Sequence, residues 1–251
     1  PYGQRALAET LLLAGRYPEA AATVDSLLRQ DTHDPAAWKL RADAYRALRR
    51  ETEVVYSLKA LLLLDPGNVP VAQEKYRLHR ERGEKTEALE TLRLLVDHVP
   101  DGEPRAALAM AEGDLLGELG RPSEAVTAYD RALTLSERLR PEVSFHKART
   151  LVESGNAKEA LDALDASGGT TPTSDGARSF ARDLLRCRAL LALDRATEAL
   201  PLLEKLAADH SDDPEPGGLY LRALVETGEA AKASSYFESN QDLLASLPEA
   251  F

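Results

Sequence analysis

The chain has one thiol, Cys187, and five imidazoles, His33, His79, His98, His146 and His210. These bound what nucleophilic, acid–base or metal chemistry it could do. A zinc site needs three or four converging ligands, and the histidines are scattered along 251 residues without ligand spacing. A single cysteine excludes an internal disulfide and a cysteine-based zinc site. No phosphate-cradling glycine loop, H-E-x-x-H pair or G-x-S-x-G elbow is written anywhere in the sequence. Asp212 and Asp213 in "HSDDPEPGG" lack the alternating oxygens and closing Glu of a calcium loop, so they read as a turn. Glu81 and Glu84 stand among Arg80, Arg82 and Lys85, as on a solvated, salt-bridged helix surface. The residues point away from catalysis: no enzyme and no cofactor is expected. The remaining chemistry is recognition. A guanidinium takes a carboxylate through two parallel hydrogen bonds, and Arg149, Arg188 and Arg222 recur 39 and 34 residues apart.

That spacing belongs to the whole chain. "GRYPEA" at 15 returns as "GEKTEA" at 83, "GRPSEA" at 120, "GNAKEA" at 155, "DRATEA" at 194 and "GEAAKA" at 228, with a degenerate "RRETEV" at 49. The seven starts are 34, 34, 37, 35, 39 and 34 residues apart. Each letter has a physical reason. The glycine stops one helix in the left-handed conformation without a Cβ clash. Pro18 and Pro122 fit the first turn of the next helix. The Glu lies near the positive end of that helix's dipole. The closing Ala lets two helices approach.

Other positions keep the same register: Trp38, Ala42, Tyr45 and Pro66 in one copy, Gly113, Tyr129 and Ala132 in another, Ala148 and Leu151 in a third. A period near 34 with helix–turn–helix content resembles the tetratricopeptide repeat. The resemblance implies an all-α, right-handed α–α superhelical solenoid. Its seven units would run at about 1–34, 35–68, 69–102, 106–139, 141–174, 180–213 and 214–247 as one array. The polar stretch 166–178, "ASGGTTPTSDGAR", is expected to be a flexible loop. Arg41 and Leu221 depart from the family pattern, which has Leu and a small residue there. Cys187 takes a small, buried position and is expected to be inert.

The resemblance also implies that the first helix of each unit lines a concave face through its positions 5, 9 and 12. Along this chain that stripe holds eight basic and three acidic residues, within a net charge of -11. Arg149, Arg188 and Arg222 form a ladder beside Phe145, Leu184, Leu191 and Val225, and Lys39, Arg46, Arg77 and Arg80 form a second basic cluster. Two readings stay open. The ladder serves an extended, acidic peptide with a few hydrophobic side chains, or it is spent on Glu142, Glu153 and Glu226 of the same face.

The function expected is therefore a non-catalytic protein–protein interaction scaffold, with a structural or self-associating segment of a longer repeat protein as the alternative. Leu243, Leu244, Leu247 and Phe251 in "QDLLASLPEAF" would carry self-association. An acidic chain repels nucleic acid and anionic membranes, and Glu81 and Glu84 interrupt the basic stretch "KYRLHRERGEK", which argues against nucleic-acid binding. The apolar runs are too short to span a bilayer. The chain begins at Pro1 without an initiator Met and reads as a fragment; the lone cysteine fits a reducing compartment, so a cytoplasmic location is expected.

Overall fold

The computed structural model describes residues 2–166 and 176–246. Among the described residues every regular element is a helix, and the fold is an all-α repeat solenoid. The chain divides into two compact units, Pro1–Leu119 and Gly120–Phe251. The first holds α1 (Tyr2–Leu13), α2 (Tyr17–Gln30), α3 (Pro35–Ala47), α4 (Glu51–Leu64), α5 (Val69–Glu81), α6 (Lys85–His98) and α7 (Glu103–Glu118). The second holds α8 (Pro122–Leu135), α9 (Arg140–Glu153), α10 (Ala157–Ala166), α11 (Gly176–Leu191), α12 (Ala196–Asp209), α13 (Pro214–Glu226) and α14 (Ala230–Leu244). The unit boundary falls inside the expected unit 106–139. Of the expected loop 166–178, residues 167–175 lie outside the described residues.

The recurring phrase is the turn between paired helices. Its first residue has positive φ in all seven copies: Gly15, Gly83, Gly120, Gly155 and Gly228, and also Arg49 at 55° and Asp194 at 56°. The amide after it reaches back five residues, as in Arg16 N–H to the Leu11 carbonyl at 2.8 Å and Arg50 to Tyr45 at 2.9 Å. Glu84, Asn156, Arg195 and Glu229 make the same bond. This Schellman closure satisfies carbonyls that a helix end would otherwise orphan. The drifted copies at 49 and 194 keep the backbone and give up the glycine.

The closing alanine of the phrase sits where helices meet. Ala20, Ala88, Ala125, Ala160 and Ala199 are fully buried. A side chain this small lets neighbouring backbones pack close, and a larger one would overpack the joint. The helices within a unit then stack in chain order, each on its predecessor: α1 to α7 in the first, α8 to α14 in the second. The core of the first unit runs from Ala8 and Leu11 through Trp38 and Tyr45 to Leu58 and Leu78. In the second unit it runs from Ala148 and Leu151 through Leu164, Cys187 and Leu203 to Tyr220 and Leu224.

Arg41, the departure from the usual Leu, is built into the first unit. Its Nε donates to Asp25 Oδ1 of α2 at 2.7 Å, and its Nη1 to Ser57 Oγ of α4 at 2.8 Å. The guanidinium lies 4.5 Å from the Tyr45 ring centroid and 5.4 Å from that of Tyr56. One side chain thereby ties three helices with charge, hydrogen bonds and cation–π contact. Leu221 is half-buried and packs against the core of the second unit.

Candidate functional site

The stripe expected to receive a partner lies on the odd-numbered helices, the first of each pair. In the second unit α11 touches both α9 and α13, so Arg149, Arg188 and Arg222 stand on three adjacent helices. Their charges are engaged. Arg188 bridges from α11 to Glu215 in the first turn of α13. Arg222 Nε donates to Glu226 Oε1 one turn on, at 2.7 Å, a pairing that the sequence reading had left open. Arg149 lies 3.4 Å from His146 Nδ1.

The first unit repeats the theme between helices. Arg5 of α1 bonds Asp34, the N-cap of α3, at 2.8 Å. Arg46 of α3 bonds Glu74 of α5. Arg80 of α5 bonds Glu118 of α7 at 3.2 Å, and Lys85 of α6 reaches the same carboxylate at 3.2 Å. The Arg80 pKa is raised, chiefly by that hydrogen bond, so the guanidinium stays charged. Each odd helix of this unit is thus clasped to the next by an arginine reaching forward. Arg77 pairs within its helix with Glu81 at 2.6 Å. Lys39 is exposed on α3.

The apolar members of the stripe fare differently. Phe145 is half-buried against the core and meets His146 edge-on at 5.9 Å. Leu184 is buried in that core, because α11 is closed in by α9, α10, α12 and α13, and it offers a ligand no surface. Val225, beside Arg222, is 64% exposed and supplies the apolar surface instead. At the other end, Leu244 is buried, with one methyl where a Cβ on Gly217 would sit 3.6 Å away. Leu243 is half-buried, and Leu247 and Phe251 lie outside the described residues.

Elsewhere the titratable groups are structural. His79 is buried at the end of α5, its Nδ1 2.6 Å from Glu84 Oε2, a burial with no signal in the residue pattern around it. Burial pushes the Cys187 thiol up to about 12, which keeps it protonated and unreactive. Among the described residues no three His, Cys, Asp or Glu side chains are placed to hold a metal, and no helix is long and apolar enough to cross a membrane.

Comparison with known proteins agrees with this architecture. Residues 4–44 and residues 110–174 each match a tetratricopeptide-repeat family model. The chain carries tetratricopeptide repeats. Among solved structures, the tetratricopeptide chain matches a complex of Naa15 and Naa10 bound to HypK-THB at a TM-score of 0.71 and 20% identity, over 92% of this chain and 36% of that one. It matches the C-terminal part of a repeat protein from Cytophaga hutchinsonii at 0.63 and 15% identity, over 98% and 97% of the two chains. It also matches YrrB, described as "a TPR protein with an unusual peptide-binding site", at 0.56 and 16% identity, over 78% and 96%. No curated protein sequence matches it. At these identities the likeness is one of fold. The repeats themselves indicate a protein–protein interaction scaffold.

Proposed function

We propose that the face formed by α9, α11 and α13 binds an extended partner segment carrying carboxylates and a few hydrophobic side chains. The observation that carries this reading is the placement of Arg149, Arg188 and Arg222 on three adjacent helices, with Val225 exposed beside them. Arg188 and Arg222 are about half exposed in their ion pairs, and such pairs are worth under about 1 kcal/mol. An incoming carboxylate can therefore displace or share them at small cost. A guanidinium has five donors, more than one carboxylate uses. The ladder then grips acidic groups while Val225 and Phe145 take apolar ones.

The test is fluorescence anisotropy with labelled peptides that mix Glu and Asp with Leu and Phe, at low and high salt. Binding should weaken with salt and be lost in the folded Arg149→Glu, Arg188→Glu, Arg222→Glu variant. Arg188→Glu with Glu215→Arg restores the clasp but moves the positive charge, and should bind more weakly than wild type at unchanged stability. Equal binding by wild type and the triple variant would assign the ladder to internal pairing alone.

A further inference from the structure

A groove opens in the second unit between α8 and α10, floored by α9. Its volume is about 320 Å³, within the range of roughly 300–1,000 Å³ typical of ligand sites. On α9 it is lined at 140, 144, 147 and 151, spacings of four, three and four that make one helical stripe. At 3.6 residues per turn that stripe lies roughly opposite Arg149 on the same helix. The groove is therefore separate from the arginine ladder. Val126 and Leu133 of α8 and Leu151 of α9 make it apolar, while Ala163 and Ala166 of α10 keep it open by being small.

Its charges are unevenly committed. The two cations on its rim are already held: Lys147 by Asp130 of α8, and Arg140 by Glu137. Two acids, Glu159 and Asp162, line the α10 side and are exposed. Neither makes an ion pair or hydrogen bond among the described residues. The charge left to a visitor is thus negative, beside an apolar floor.

We propose that this groove docks a partner segment presenting apolar side chains flanked by lysine or arginine, such as one face of a basic amphipathic helix. The apolar side chains fill the space over Leu133, Leu151 and Ala163, and the cation reaches Glu159 and Asp162. The scaffold then has two faces with opposite charge preference. The acidic-segment reading of the ladder neither requires nor excludes this second one.

The experiment uses the whole chain and a labelled helical peptide of Leu and Lys, with a Leu and Glu peptide of the same pattern as the counter-probe. The Glu159→Lys, Asp162→Lys variant and the groove-filling Ala166→Trp variant should each weaken the Leu/Lys peptide about tenfold, about 1.4 kcal/mol. The Glu238→Lys, Asp242→Lys variant makes the same change of net charge on α14 and should leave affinity unchanged. Circular dichroism confirms that each variant is folded. The arginine-ladder triple variant should bind the Leu/Lys peptide as wild type does, which separates the two proposals. Equal losses from the α14 and α10 reversals would reduce the effect to overall charge and overturn the proposal. So would equal binding of the Leu/Glu peptide, or no saturable binding at all.

Discussion

Asp25 holds Arg41 from the neighbouring helix, its Oδ1 2.7 Å from the arginine Nε, while its Oδ2 accepts the Tyr45 hydroxyl at 2.6 Å. The arginine side chain is only 13% exposed. Removing the carboxylate strands a mostly buried cation, which is costlier than removing both partners. Asp25→Ala should therefore cost about 2 kcal/mol, at the mild end because Asp25 itself retains some solvent. Asp25→Ala with Arg41→Leu should cost clearly less than the sum of the single changes, with a coupling of about 1 kcal/mol or more in denaturant titrations. Additive losses would show that Arg41 contributes by packing alone.

Arg49 and Asp194 sit at φ of 55° and 56° in turns where five other copies have glycine. A left-handed L-residue costs roughly 1–2 kcal/mol, offset in part by the greater freedom that glycine gives the unfolded chain. Arg49→Gly and Asp194→Gly should each stabilise the fold by about 0.5 kcal/mol. Gly83→Ala, in the same turn one repeat on, should destabilise it by about 1 kcal/mol. Thermal midpoints of the three variants decide it; a fall in both Arg49→Gly and Asp194→Gly would mean that those side chains make compensating contacts.

Cys187 links stability to alkaline pH. Its thiol ionises at about 12 in the fold against 9.0 for an unperturbed thiol, because burial disfavours the thiolate. The folded value is the higher one, so the stabilisation is whole below pH 9.0 and is lost as pH rises toward about 12. Wild type should lose stability over that window relative to Cys187→Ala, which controls for the tyrosines and lysines that titrate alongside. A constant difference between the two curves would refute the assignment. At neutral pH a thiol reagent should label Cys187 only after unfolding.

The sequence showed the repeat plainly because its punctuation is local. Gly15 and Glu19 lie within one turn and carry their reasons with them. Even the drifted copies at 49 and 194 were legible, since the neighbouring letters held the register. What stayed hidden depends on partners distant in sequence. Arg41 was visible as a departure, but its anchor Asp25 is sixteen residues away on another helix. Leu184 had the register of a groove residue, yet the packing around α11 buries it. Arg222 could be read as free or as paired with an acid of its own face, and the structure pairs it with Glu226. Glu159 read as an acid favourable to a helix dipole, a local reason sufficient in itself, so nothing pointed to the groove beside it.

The forward clasps of the first unit, Arg5 to Asp34, Arg46 to Glu74 and Arg80 to Glu118, give it a mechanical property. Each joins a helix only to the next odd-numbered one, and the latter two are solvent-accessible enough for mobile ions to screen them. Neighbour-only coupling makes the stack a series of joints rather than one rigid body. Salt should therefore loosen those two joints slightly while the buried core from Ala8 to Leu78 keeps the helices stacked.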